Sequence, residues 1–120
     1  MKTQAMMIGI LATFLIASWA AAQGWPGDPK NGQVLYERHC LGCHGAAGEG
    51  NGPNARALIV PPTNFQSPRS RLKTDIELLV TISHGVVYSP MHGWRGRLND
   101  DEMWDVTSYI RAMAPYSPYQ

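Results

Sequence analysis

Both cysteines of this 120-residue chain fall in one string, Cys40-Leu41-Gly42-Cys43-His44. Two thiols about one helical turn apart can add to the two vinyl groups of a haem, and the histidine that follows is delivered beneath its iron. C-x-x-C-H is the attachment string of a c-type haem. Cys40 and Cys43 are therefore the expected thioether anchors and His44 the expected axial iron ligand. Three other chemistries share part of the pattern. A thioredoxin-like redox pair uses C-x-x-C, but on a strand–helix junction that this chain lacks. A structural zinc site needs four ligands, and His39, His84 or His92 would have to supply the fourth. A disulfide across so short a loop would staple almost nothing, because its stabilisation grows with loop length. The full string favours one covalently bound haem c over all three.

The elements that must position this string are written in helix signals. Asp28-Pro29 pairs an N-cap acid with proline at the first helical position, where a missing N–H costs nothing. A helix is expected from about Pro29 into Cys40, with Gly32, Leu35 and Tyr36 on one face. Gly42–Pro62 carries four further glycines and Pro53, Pro61 and Pro62, and reads as a long functional loop. Thr74-Asp75-Ile76-Glu77 has capping-box spacing, and Ile76, Leu79, Val80 and Ser83 trace one face up to Gly85. Asn99-Asp100-Asp101-Glu102 repeats the box. Met103, Val106, Ile110 and Met113 follow at helical spacing, with Arg111 in the last turn and Pro115 as the stop. Nothing alternates with period two, so the expected class is all-α: three to four short helices joined by long loops. The tail Tyr116–Gln120 is expected to fray or to lie along the surface.

Composition narrows the class further. Lys2 precedes an apolar run, Ala5–Trp19, that ends in Ala20-Ala21-Ala22. This is the pattern of a secretory signal cleaved after Ala22, and it implies export to the periplasm. An uncleaved anchor is the competing expectation, since a span needs about 17–25 apolar residues; the small residues at the end of the run favour cleavage. Nothing downstream reads as a membrane segment. From Gln23 onward, nine Lys and Arg balance nine Asp and Glu, which excludes a nucleic-acid binder and a self-repelling disordered tail. Leu, Ile, Val and Phe number only 18 of those 98 residues, a lean core for one domain. A large flat apolar cofactor would fill what the side chains do not.

With these residues in place, the chain resembles a small class I c-type cytochrome of the bacterial type, in order over nearly all of Asp28–Met113. Gly32 and Tyr36 match the small-plus-aromatic pair that packs on the family's last helix, and Leu98–Met113 is similar to that helix. Gly50-Asn51-Gly52-Pro53 resembles the loop whose proline carbonyl accepts the axial histidine's hydrogen bond, which implies Pro53 as the residue orienting His44. Ser89-Pro90-Met91-His92-Gly93-Trp94 stands where the family supplies its methionine, which implies Met91 as the second axial ligand. The resemblance implies a cytochrome c-like fold around one haem. The expected division is a signal peptide at 1–22, a lead-in at 23–27, the cytochrome domain at 28–114 and a tail at 115–120.

One departure stands beside the ligand. His92 follows Met91 where proline is common, and proline would stiffen the loop. His92 reads first as an exposed loop histidine and second as a neighbour that tunes the iron or competes for it. Met103 and Met113 read as core, His84 as a helix C-terminal partner, and His39 as exposed. Trp94 either contacts a haem propionate or closes the bottom of the core. Arg56, Arg69, Arg71, Lys73, Arg95 and Arg97 include the expected propionate partners. With histidine and methionine on the iron there is no open position for a substrate, so the expected role is a non-enzymatic, periplasmic electron carrier. Its expected partners are redox protein donors and acceptors. A cytochrome subunit fixed in a larger dehydrogenase or oxidase is the alternative, followed by a haem sensor or ligand-binding protein.

Overall fold

The helix that leads into the cysteines begins where its capping residues say it should. In the computed structural model, which describes residues 26–118, α1 spans Pro29–His39. The Asp28 carboxylate accepts from the Lys30 N–H at 2.9 Å, and Pro29 opens the first turn. The signal expected at 1–22, the start of the lead-in and the last two residues of the tail lie outside the described residues. After α1 come α2 (Leu41–His44), a 3-10 turn (Ala55–Ala57), α3 (Pro68–Arg71), α4 (Asp75–His84) and α5 (Asp100–Met113). The fold is all-α, and the described residues form the three expected amphipathic helices and two four-residue helices that no periodicity announces. Among the described residues, extended pairing is limited to isolated bridges, Gly85 with His92 and Arg95 with Leu98.

The frame is α1 crossed on α5. Both capping-box bonds of Asn99 and Glu102 are present, so α5 starts without orphaned first-turn N–H groups. Gly32 lies so close to α5 that a Cβ there would sit 1.9 Å from the Asp105 carbonyl oxygen, so only glycine fits. The Tyr36 and Tyr109 rings meet edge to face at 5.3 Å. The Asp105 carboxylate accepts from the Asp28 N–H at 2.6 Å and from the Asn31 amide at 2.7 Å, tying the start of α1 to the middle of α5.

The face of α4 differs from the expected one. Leu78, Ile82 and Ser83 are buried, whereas Ile76 and Val80 are 57% and 50% exposed. Periodicity locates a stripe but does not say which side of it meets the core. Here two cross-links to α5 set the rotation. Asp75 pairs with buried Arg111 at 2.5 Å, and the Ser83 hydroxyl donates to the Met103 sulfur at 3.3 Å. Arg111 also donates to the Lys73 carbonyl. The core comprises Leu35, Tyr36, Phe65, Leu78, Ile82, Leu98, Met103, Val106, Ile110 and Ala114. The described part of the tail lies along the surface, with the Ser117 N–H on the Arg71 carbonyl and the Arg71 side chain on that of Pro115, both at 3.0 Å.

Candidate functional site

Cys40 ends α1, its N–H still bonded to the Tyr36 carbonyl at 2.8 Å, and its own carbonyl takes the N–H groups of Cys43 and His44. That turn sets the two sulfurs one turn apart and puts His44 at the end of α2. The two cysteines are not joined to each other as a disulfide. Burial and the nearby Cys43 push the Cys40 thiol up to about 12. Cys40 follows a helix, α1, and not a strand, so the thioredoxin-like alternative lacks its strand–helix junction. Among the described residues no group of three or more His, Cys, Asp and Glu side chains could hold a metal ion. The zinc alternative has no ligand set.

His44 is held by neighbours far away in sequence. Its Nδ1 lies 3.2 Å from the Thr63 carbonyl, and its ring stacks on Phe65 at 4.6 Å between centroids and 14° between planes. A carbonyl only accepts, so this hydrogen bond requires the proton on Nδ1 and leaves Nε2 as the free lone pair. Burial lowers the His44 pKa from its ordinary value, with the Thr63 bond opposing, and so favours the neutral, ligating imidazole. Tyr36 donates to the Gly45 carbonyl just beyond at 2.8 Å. Burial lifts that phenol well above its ordinary pKa, so it remains a donor.

The orienting carbonyl is thus that of Thr63, not Pro53. The Gly52 and Asn54 N–H groups bond to the Cys43 and Gly42 carbonyls at 3.1 and 2.8 Å, which lays this stretch against the backbone of α2. Pro53 stays exposed and does not line the cleft. The chain instead returns past Pro61-Pro62, and the Phe65 N–H bonds to the Gly48 carbonyl at 2.7 Å. Consecutive prolines force an extended backbone, and they are the one sequence signal for this second approach.

Cys40, Cys43, His44 and Met91 all line one mainly apolar cleft of about 1030 Å³, its mouth included. Leu58, Val60, Phe65, Leu78, Ile82 and Ile110 contribute apolar walls, and an adjoining pocket of about 320 Å³ shares Cys40, His44 and Met91. Two uncrosslinked cysteines, an imidazole with a fixed tautomer, a thioether and apolar walls fit a covalently attached haem. Trp94 lines the same cleft between His39 at 4.9 Å and His92 at 4.6 Å, with the Arg97 guanidinium 5.8 Å from its ring. His92 is exposed, its Nδ1 3.1 Å from the Gly93 carbonyl. Of the six cations expected near propionates, Lys73 lines the cleft. Met103 is core, and His84 is exposed with its ring nitrogen on the Val80 carbonyl of its own helix.

Comparison with known proteins identifies the family. The chain is 30% identical over 84 residues to thiosulfate dehydrogenase of Allochromatium vinosum, covering 69% of this chain and 30% of that protein. It is 30% identical over 112 residues to dihydro-heme d1 dehydrogenase of Pseudomonas aeruginosa, covering 93% and 20%. The chain thus spans less than a third of the length of either relative. In structure it is similar to a chain of the reducing HAO-like protein complex of Kuenenia stuttgartiensis, with TM-score 0.67, 25% identity and coverage of 72% and 43%. Cytochrome c6 of the diatom Phaeodactylum tricornutum shares the fold, with TM-score 0.58, 23% identity and coverage of 73% and 95%. The cytochrome c family model matches residues 29–114. A match over most of the chain, on a fold whose cleft gathers the C-x-x-C-H string, makes this protein a member of the cytochrome c family, a small class I c-type cytochrome with covalently bound haem c.

Proposed function

We propose that the protein is a periplasmic, non-enzymatic carrier of single electrons, with thioethers at Cys40 and Cys43 and with His44 and Met91 as axial ligands. The observation that carries this proposal is that one apolar cleft gathers these four residues from two distant segments. The bound haem supplies a one-electron couple, and a thioether ligand raises its potential. The Thr63 carbonyl holds the His44 proton on Nδ1, so Nε2 is the ligating atom. Phe65, Ile82 and Ile110 keep water from the ligands. The proposed division stays as read from the sequence, with cleavage after Ala22 and a cytochrome domain at 28–114.

The surface around the cleft suits brief contact with other redox proteins. Ile59, Val87 and Tyr88 are 98%, 79% and 99% exposed, on the two loops whose neighbouring residues line the cleft. Neither Ala57–Asn64 nor Gly85–His92 contains Lys, Arg, Asp or Glu. Such a rim favours apolar contact and weak salt dependence, within the small interfaces of transient redox encounters, below about 1,200 Å². No helix of the described residues is long and apolar enough to cross a membrane. A second proposal is a cytochrome unit fixed to a dehydrogenase or oxidase, favoured by alignment to a fraction of two proteins named dehydrogenases.

An optical redox titration of the holoprotein tests this function. A far-red methionine–iron band and a positive potential are expected. In Met91→Ala the haem stays attached, the band disappears, the potential falls and the reduced protein binds carbon monoxide. An unchanged band and potential in Met91→Ala would refute the ligand set. Carbon monoxide binding by the unaltered protein would favour a ligand-binding role, and co-purification with a large subunit would favour the fixed unit.

A further inference from the structure

Met91 reaches the cleft from a nine-residue stretch, Gly85–Gly93, at the start of the connection between α4 and α5, with no helix or ladder to hold it. Its ends are closed by the bridge between Gly85 and His92 and by the Val86 N–H on the Met91 carbonyl at 2.8 Å. Inside this closure the chain turns at Val86–Ser89, with the Ser89 N–H on the Val86 carbonyl at 3.2 Å. Tyr88 takes φ +59, the left-handed region that non-glycine residues avoid, although it is 99% exposed. A conformation of this kind persists only where its surroundings over-determine it, and Tyr88 has no burial to impose it.

The constraint comes from the next residue. The Ser89 hydroxyl donates to the Val86 carbonyl at 3.0 Å and accepts from the Met91 N–H at 3.1 Å. One hydroxyl can do both at once. Pro90 stands between them, has no N–H to compete, and holds Ser89 in extended backbone. The hydroxyl therefore links the turn directly to the backbone of Met91. We infer that Ser89 is the positioning residue of the methionine ligand, doing through its hydroxyl what a proline after Met91 would do through its ring. The inference rests on Met91 being the ligand.

The test compares Ser89→Ala, Ser89→Thr and Met91→Ala holoproteins by their far-red band and by carbon monoxide binding to the reduced form. A net hydrogen bond stabilises by about a factor of five, and the apparent affinity of a competing ligand scales with the fraction of open sites. Ser89→Ala should weaken the band and raise the apparent carbon monoxide affinity about fivefold, and Ser89→Thr should restore both. Parental band and affinity in Ser89→Ala, beside an opened iron in Met91→Ala, would overturn the role of Ser89 and leave the ligand assignment standing. An unchanged Met91→Ala would overturn both.

Discussion

The two proposed axial ligands sit in unlike surroundings. His44 belongs to a wall built by returns of the chain from several directions. Gly50, Gly52 and Asn54 donate to the carbonyls of His44, Cys43 and Gly42, and Tyr36 donates to that of Gly45. Gln66 spans the Ala47 and Met113 carbonyls at 2.9 and 3.0 Å, fastening that wall to the end of α5. Met91 hangs from one loop closed on itself by short-range bonds, with Val87 and Tyr88 at its exposed tip. A ligand whose ring is also held by a separate segment, as His44 is by Thr63 and Phe65, is lost only when those segments part. A ligand on a locally closed loop can leave while the domain stays folded. On the proposed ligation, the difference would make the histidine the permanent ligand and the methionine the adjustable one.

Substitutions along the two walls can break or sharpen this contrast. The largest effect is expected from His44→Ala, which should abolish the low-spin spectrum of the ferric holoprotein; a retained low-spin spectrum would mean another residue holds the iron. Gly52→Ala comes next. Its Cβ would meet the Gly42 and Leu41 carbonyl oxygens at 2.4 and 2.5 Å, all of it backbone that cannot turn aside. Overpacking of this kind costs about 1–3 kcal/mol, and guanidinium unfolding should place Gly52→Ala at the upper end. Val87→Ser, on the exposed tip of the other loop, should stay within about 0.5 kcal/mol by the same measurement. Equal losses for the two would erase the distinction.

Phe65→Leu probes the histidine wall more gently. Losing the stacked ring should cost about 1 kcal/mol of stability while leaving the far-red methionine band in place. A lost band would show that the walls are coupled. The smallest effect concerns α4, which leads into the Met91 loop. The Thr74 N–H and hydroxyl hold the Glu77 carboxyl below its ordinary 4.5. A lowered carboxylate pKa contributes stability that is present above the unfolded value and lost as pH falls through the folded one. Glu77→Gln keeps a capping-box side chain but not the charge, so its melting temperature should depend less on pH below about 5. An unaltered pH profile would show that the box does not sense protonation.

Much of the fold and of the haem site is legible in the chain's local chemistry. C-x-x-C-H places two thiols and an imidazole within one helical turn because the covalent chain does so. Asp28-Pro29, Thr74 with Glu77 and Asn99 with Glu102 mark where three helices start because an N-cap bonds to residues two or three positions away. The match of Gly32 to a helix crossing comes from resemblance, and its reason is a backbone contact. Met91 in the same cleft as His44 is likewise implied by resemblance rather than by spacing.

Other features depend on which segments meet. Thr63 rather than Pro53 faces His44 because the chain between Gly45 and Phe65 doubles back twice, and only the second pass brings a carbonyl to the imidazole. The rotation of α4 follows from Arg111 and Met103 on α5, which no periodicity within α4 encodes. The sequence alone determined the haem string, the helix starts and the lean core, since these depend on neighbours a few bonds away. Only the tertiary structure decided which carbonyl orients His44 and which face of α4 is buried. Those choices are made between segments tens of residues apart, where packing and hydrogen-bond satisfaction of the whole domain select one partner among several that are locally equivalent.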